Sequence, residues 1–252
     1  MVSVLVTNDD GISSDGIRGL IEVILTAGHA VTVAAPLSEQ SGRSMAVSIE
    51  TPVSVKKKII PGTAACFGLS GTSVDCVKAA LTFLNIPPPE IVISGLNIGI
   101  NAGRDVRYSA TVGAAMEAAL SGIPAIAVSA EYVKNHEANL SQAFTLLSGQ
   151  INNYISLALS LGKGCIVNVN YPYAECKGMR ATVLSKKSFY SDNYTPVKNG
   201  FLLTGIRNDS ENDTGTDLGA VLSGYGSVSV IHTDMQSLPA DKFTHAITGQ
   251  TD

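Results

Sequence analysis

The sequence predicts an α/β fold centred on a doubly wound, mostly parallel sheet. Two observations carry this. Apolar runs of strand length alternate with longer runs of helical period as far as about residue 170, the order that a chain of βαβ units requires. Beyond Pro172 the alternation stops, and residues 173–215 are polar and turn-rich, with Tyr190, Tyr194 and Phe201 spaced through them. That pattern reads as a β or extended oligomerisation segment. The expected division is a core over 1–172 and a C-terminal extension over 173–252.

Taken in order, residues 2–6 read as a buried strand that stops on Thr7, Asn8, Asp9, Asp10 and Gly11. Residues 14–27 read as a helix with Ile17, Leu20, Ile21, Ile24 and Leu25 on one face, and Gly28 follows its last turn. Residues 30–35 are a second buried strand, ended by Pro36. These make one βαβ unit with a right-handed crossover. A polar loop over 37–44 precedes strand-like runs at 46–49 and 53–55, a hairpin excursion. A helix over 72–84 ends before the prolines at 87–89. The strand at 91–93 runs into Ser94, Gly95, Leu96 and Asn97, and a glycine-rich loop leads to Tyr108. A helix at 109–120, a strand at 125–129, a long helix within 139–161 and a strand at 166–169 complete the core. A short helix at 216–222 and a late strand at 228–231 follow. There is no internal repeat.

Hydrophobic residues make up 45% and charged residues 15% of the 252, enough for a core and unlike a disordered chain. The net charge is −4, and the one lysine run, Lys56-Lys57-Lys58, is short enough to be a solvated strand end, so no nucleic-acid surface is expected. No apolar stretch approaches the roughly 20 residues that span a bilayer. Asp9 and Asp10 interrupt the first apolar run too early for a secretion signal. No membrane association is expected. Cys66, Cys76, Cys165 and Cys176 form neither a C-x-x-C pair nor a zinc spacing, which fits reduced thiols in a cytoplasmic protein.

The two adjacent carboxylates at the first strand end are the feature that most needs a reason. Ligands of open α/β sheets bind beyond the carboxyl ends of the strands. Neighbouring side chains share a target only where the strand gives way to a turn, which Gly11 supplies. Two unneutralised carboxylates repel, and a divalent cation resolves the conflict. The alternative is that one of them caps the next helix, although Ser13 or Ser14 is better placed to do so. Other strand ends offer neutral oxygens: Ser41, beside Gly42 and Arg43, and Asn97. Two carboxylates and two neutral oxygens make a magnesium-type site with positions left for water and substrate.

A second constellation runs from Tyr108 to Glu117. A glycine-rich loop enters a helix whose first turn carries Ser109 and Thr111. Free amides and the positive dipole end favour an anion there, although Ser109 is also a good cap. Gly113, Ala114 and Ala115 allow close packing on the sheet. Neither the Walker pattern nor G-x-G-x-x-G occurs here. A cation beside an anion-binding helix end implies a phosphorylated substrate. Arg43 is a candidate to neutralise phosphate charge, Asp105 and Arg107 to pair with each other, and His29 and His232 to be structural.

Together these segments resemble the SurE family (survival protein E), metal-dependent 5′(3′)-nucleotidases. The resemblance rests on TNDDGI at 7–12, GHAVTVAAP at 28–36, QSGRS at 40–44, GTSVDCVKAAL at 71–81, VISGLNIGINAGRDVRYSATVGAAMEAAL at 92–120 and GIPAIAVS at 122–129, with weaker echoes at 167–172 and 216–230. It implies a Rossmann-like catalytic core and one divalent metal per subunit held by Asp9, Asp10, Ser41 and Asn97. Mg²⁺ or Mn²⁺ is the first choice, with Ca²⁺ or Co²⁺ as alternatives. It implies hydrolysis of nucleoside monophosphates, with 3′-nucleotides and short polyphosphate as further substrates, by a homodimer or homotetramer that exchanges its C-terminal segment. Asp9, Asp10 and Asn97 are the candidate catalytic residues. Ser41, Gly42, Arg43, Asn97, Ser109 and Thr111 are the candidate phosphate contacts. Two positions depart from the family pattern: Ala110, where glycine is usual, and Ala102, where glycine or asparagine is common. Two rivals stand beside this reading. A phosphatase that forms an aspartyl-phosphate places its carboxylates two residues apart, whereas these are adjacent. A non-catalytic nucleotide sensor would use the same cation and helix end, with Ala110 as its only hint.

Overall fold

The computed structural model describes residues 1–132 and 140–234. The chain opens with β1 (Ser3–Thr7), α1 (Asp15–Thr26) and β2 (Ala30–Pro36), followed by β3 (Val55–Lys57), β4 (Ala65–Leu69) and α2 (Ser73–Thr82). Next come β5 (Ile91–Ile98), α3 (Ala110–Leu120), β6 (Ala125–Ala130), α4 (Leu140–Leu161) and β7 (Cys165–Tyr171). The rest comprises β8 (Met179–Thr182), β9 (Tyr190–Ser191), β10 (Tyr194–Val197), β11 (Gly200–Leu203), β12 (Ile206–Arg207), α5 (Asp217–Leu222) and β13 (Gly226–His232).

One nine-stranded sheet runs β3-β4-β2-β1-β5-β6-β7-β13-β8. The strands from β4 to β7 are parallel and, numbered among themselves, follow the 3-2-1-4-5-6 order of a Rossmann sheet. β3 lies antiparallel on one edge, β13 antiparallel to β7, and β8 parallel to β13.

Strand periodicity sorts the core into two layers. Val4 and Val6 of β1, Ile91 and Ile93 of β5, and Ile126 and Val128 of β6 meet α1 and α4 on one face. Leu5, Val92, Ala125 and Ala127 meet α2 and α3 on the other. Ile17, Leu20 and Ile24 of α1 are fully buried, each contributing roughly 1.5–3 kcal/mol through area removed from water.

Three details differ from the sequence expectation. Residues 46–49 are not a strand. Ser48 instead donates to Asp75 through its amide (3.0 Å) and its hydroxyl (2.7 Å), and Thr72 Oγ1 donates to the Ala46 carbonyl (2.7 Å). Side-chain bonds to the start of α2 thus replace a ladder. β4 was not anticipated, because its small residues and Gly68 carry little strand signal. β5 continues through Asn97 to Ile98 with a register shift between Ser94 and Asn97. The expected helix start at Asn139 and residues 235–252 of the extension lie outside the described residues. All four cysteines are free thiols.

Candidate active site

β1 and β5 are neighbours where the strand order reverses, the switch point at which such sheets bind ligands. Gly11, with φ +99°, turns the chain after β1. Asn8 Nδ2 donates to the Gly11 carbonyl (3.0 Å) and to Ser14 Oγ (2.9 Å), and Ser73 Oγ donates to the Asn8 carbonyl (2.9 Å). The turn is therefore tied to the starts of both α1 and α2. Ser14 caps α1, so neither aspartate is spent as its cap.

Asp9 is 4% exposed. Thr111 Oγ1 donates to its Oδ1, and the Gln40 amide donates to its carbonyl (2.7 Å). Burial pushes the Asp9 pKa up against the Thr111 hydrogen bond. Asp10 is half-buried, with the Ile98 amide 3.4 Å from Oδ2. Burial, then the Asp9 charge, push its pKa to about 6, with the Ile98 amide opposing and Glu39 adding to the rise. Among the described residues no Lys, Arg or His pairs with either carboxylate.

The β5 irregularity re-aims Asn97. A Cβ on Gly95 would lie 2.3 Å from the Val128 carbonyl oxygen, so only glycine fits that approach to β6. Asn97 Nδ2 donates to the Gly99 carbonyl (2.6 Å), which leaves Oδ1 free as an acceptor. Ser41 Oγ donates to Glu39 Oε1 (2.8 Å) and keeps its lone pairs. Ser109 Oγ accepts from the Val112 amide (3.0 Å) and caps α3. The amides of Ala110 and Thr111, at the helix start, have no intrahelical acceptor. The loop carrying Ser41 rests on this helix. Ser44 donates to the carbonyls of Tyr108 (amide, 3.1 Å) and Arg107 (Oγ, 2.6 Å). A Cβ on Gly113 would sit 2.4 Å from the Ser44 carbonyl oxygen.

Asp9, Ser41, Gly42, Asn97 and Ser109 wall one cleft of about 930 Å³. Asp10 adjoins it at Ile98. Thr111 is fully buried, its hydroxyl committed to Asp9, and Arg43 is exposed outside the cleft wall. Asp105 does not pair with Arg107. Its Oδ2 accepts the amides of Phe189 (2.8 Å) and Tyr190 (3.3 Å). Ala110 is the first residue of α3, outside the positive-φ region and 1% exposed, so its methyl imposes no backbone strain. Ala102 packs with Ile100, Phe189 and Leu218. His29 bridges the Val2 amide and Asn152, and His232 lies against Cys165 Sγ (3.3 Å).

Several cleft residues escaped the sequence reading. Asn101 is held beneath the site by Asn168, Asn170 and Ser129. Its signal was present in two asparagines, Asn168 and Asn170, two apart and so on one face of an apolar strand. Lys186, Tyr190 and Tyr194 had no local signal, since only the tertiary fold brings them here. Among the described residues no cluster of three or more His, Cys, Asp or Glu side chains forms a metal centre. A cation at Asp9 and Asp10 would take its remaining donors from neutral oxygens.

Fold and site define a doubly wound α/β protein with a carboxylate pair and a serine-capped helix start at its switch point. The family model described as Survival protein SurE matches residues 4–191. A protein named 5′-nucleotidase SurE from Caldanaerobacter subterraneus subsp. tengcongensis is 36% identical over 246 residues, 95% of each chain. One of the same name from Maridesulfovibrio salexigens is 37% identical, covering 92% of this chain and 94% of its own. The crystal structure of the SurE protein from Aquifex aeolicus matches with a TM-score of 0.75 at 31% identity, covering 98% of both chains. The chain belongs to the SurE family.

Proposed function

We propose that this chain is a 5′-nucleotidase that hydrolyses nucleoside 5′-monophosphates to nucleoside and phosphate, using a divalent cation held by Asp9, Asp10, Ser41 and Asn97. The observation that carries the reading is a carboxylate pair, Asp9 buried and Asp10 half-buried, with no counter-charge among the described residues, in a cleft that Ser109 walls at the start of α3. The donor set fits such an ion: both carboxylates are destabilised by burial, and the Asn97 Oδ1 and Ser41 hydroxyl supply further hard oxygens. Held there, Mg²⁺ or Mn²⁺ would supply Lewis-acid polarisation of the phosphoryl group and a lowered pKa for water.

The chain's own residues do the rest. Ser109, which walls the cleft at the start of α3, binds phosphate oxygens. Gly42, with φ +72° in open space, presents its backbone to the same cleft. Thr111 fixes Asp9, and Asp10 accepts the proton of the attacking water. Tyr190 and Tyr194 offer ring faces for the nucleobase. Nucleoside 3′-monophosphates and short polyphosphate would be secondary substrates.

Residues 1–172 carry the hydrolytic chemistry, and 173–252 add Tyr190 and Tyr194 to the cleft and build a homodimer or homotetramer. Exposed Phe201 (72%), Leu202 (58%) and Leu203 (54%) on the β10–β11 hairpin support that role. Among the described residues no helix is long and apolar enough to cross a membrane, and the proposed location is the cytoplasm. Calorimetric titration tests the metal assignment: one Mn²⁺ per chain in the wild type and none in Asp9→Asn. Equal binding by both would move the metal elsewhere.

A further inference from the structure

Beside the substrate cleft lies a second cavity of about 450 Å³. Arg104, Tyr108, Lys186 and Ser188 wall both, so the two adjoin. Arg107 and Ser185 belong to the second alone. This cavity is walled by three cations and no carboxylate, in a chain whose net charge is −4. The carboxylates nearby are all engaged elsewhere. Asp105 accepts the Phe189 and Tyr190 amides. Asp217 accepts those of Gly103 and Ser185, each at 2.8 Å. Glu211 accepts Ser185 Oγ (2.7 Å) and lies 3.7 Å from Lys187. Among the described residues Arg104, Arg107 and Lys186 form no ion pair. Like charges gathered around one cavity repel, and an anion relieves them. Arginine forks match phosphate oxygens in particular.

We infer that this cavity is a second phosphate subsite and that the protein accepts nucleoside 3′,5′-bisphosphates. The inference rests on the nucleotidase reading of the first cleft. The 5′-phosphate occupies that cleft, the 3′-phosphate meets Arg104, Arg107 and Lys186, and Tyr108 forms wall common to both. Water attacks the 5′-phosphorus and the bond from phosphorus to O5′ breaks. The water proton passes through the cleft carboxylate to O5′, and inorganic phosphate and the nucleoside 3′-monophosphate leave.

The test compares kcat/KM for adenosine 5′-monophosphate and adenosine 3′,5′-bisphosphate in the wild type, Arg107→Ala and Lys186→Ala. Among the described residues the Arg107 side chain makes no hydrogen bond or ion pair. Its carbonyl, which accepts Ser44 Oγ, survives the change to alanine. The wild type should favour the bisphosphate by about tenfold, the worth of one charge-assisted contact, mostly through KM and less at high salt. Arg107→Ala should lose that preference while the monophosphate rate holds. No preference in the wild type, or a preference that neither variant weakens, overturns the subsite. If neither nucleotide turns over, the nucleotidase reading fails, and calorimetric binding of the bisphosphate decides the subsite alone. Weaker binding in Arg107→Ala supports it, and equal binding overturns it. Inhibition by inorganic tripolyphosphate that Arg107→Ala relieves, without any bisphosphate preference, would assign the cavity to a linear chain and overturn the nucleotide form.

Discussion

Asp9 is a buried carboxylate that no described cation neutralises, and burying a charge is costly unless it is paired. Its one side-chain donor among the described residues is Thr111 Oγ1. Thr111→Val should therefore lower stability by about 1–3 kcal/mol, the cost of stripping a buried group of its partner, read as a lower urea midpoint. An unchanged midpoint would mean that the Thr111 bond carries no net weight. The same charge conflict predicts how the metal acts on the fold. A ligand that binds only the folded state raises the melting temperature. Mn²⁺ should thus stabilise the wild type and EDTA reverse it, while Asp10→Asn shows neither response. A variant that responds like the wild type would remove Asp10 from the metal set.

At the scale of elements, the site depends on three chain segments being pressed together. Gly113 of α3 lets the Ser41 loop rest on the helix. Gly113→Ala would put a methyl 2.4 Å from the Ser44 carbonyl oxygen and force that loop to shift, which should raise KM for the nucleotide more than it lowers kcat; steady-state kinetics at saturating metal separates the two. Asp75 works at the next helix, where it completes the α2 capping box with Thr72 and holds Ser48. Burial acts to raise its pKa, yet the hydrogen bonds from Ser48 and Thr72 outweigh it and hold the group below its ordinary value. A carboxylate depressed on folding stabilises above its unfolded pKa, and that stability is lost as pH falls through the folded value. Acid unfolding below about pH 3.8 should therefore be partly relieved in Asp75→Asn, while the variant is weaker at pH 7 by about 1–2 kcal/mol. Parallel pH profiles for the two proteins would contradict this.

These elements also mark what the sequence disclosed. Buried parallel strands declare themselves as apolar runs, and Ser14, Ser109 and Thr216 mark helix starts one residue early, as caps do. Asp9, Asp10, Ser41 and Asn97 were legible because each sits at the end of a recognisable strand or in the loop after one. The partnership of Thr111 with Asp9 was not, because 102 residues separate them. Nor was the pinning of Ser48 to Asp75 and of Ala46 to Thr72, which uses side-chain bonds that leave no periodic trace.

On the scale of the whole molecule, residues beyond 172 return to the main sheet through β8 and β13 and also project the β10–β11 hairpin. Arg207 ties the adjoining β12 back to Glu131 at 2.7 Å. The hairpin's exposed Phe201, Leu202 and Leu203 suit a second copy of the chain. Phe201→Asp should reduce the mass measured by light scattering from dimer or tetramer towards monomer, and an unchanged mass would place assembly elsewhere. The central claim is metal-dependent hydrolysis at the carboxylate pair. Its most direct test is phosphate release from a panel of 5′- and 3′-nucleoside monophosphates with Mg²⁺, Mn²⁺ or EDTA, using the wild type and Asp10→Asn. The account predicts metal-dependent release from 5′-monophosphates that EDTA abolishes and that falls by at least about 10²-fold in the variant. A folded wild type that binds nucleotide but releases no phosphate with any metal would contradict it and make the protein a sensor.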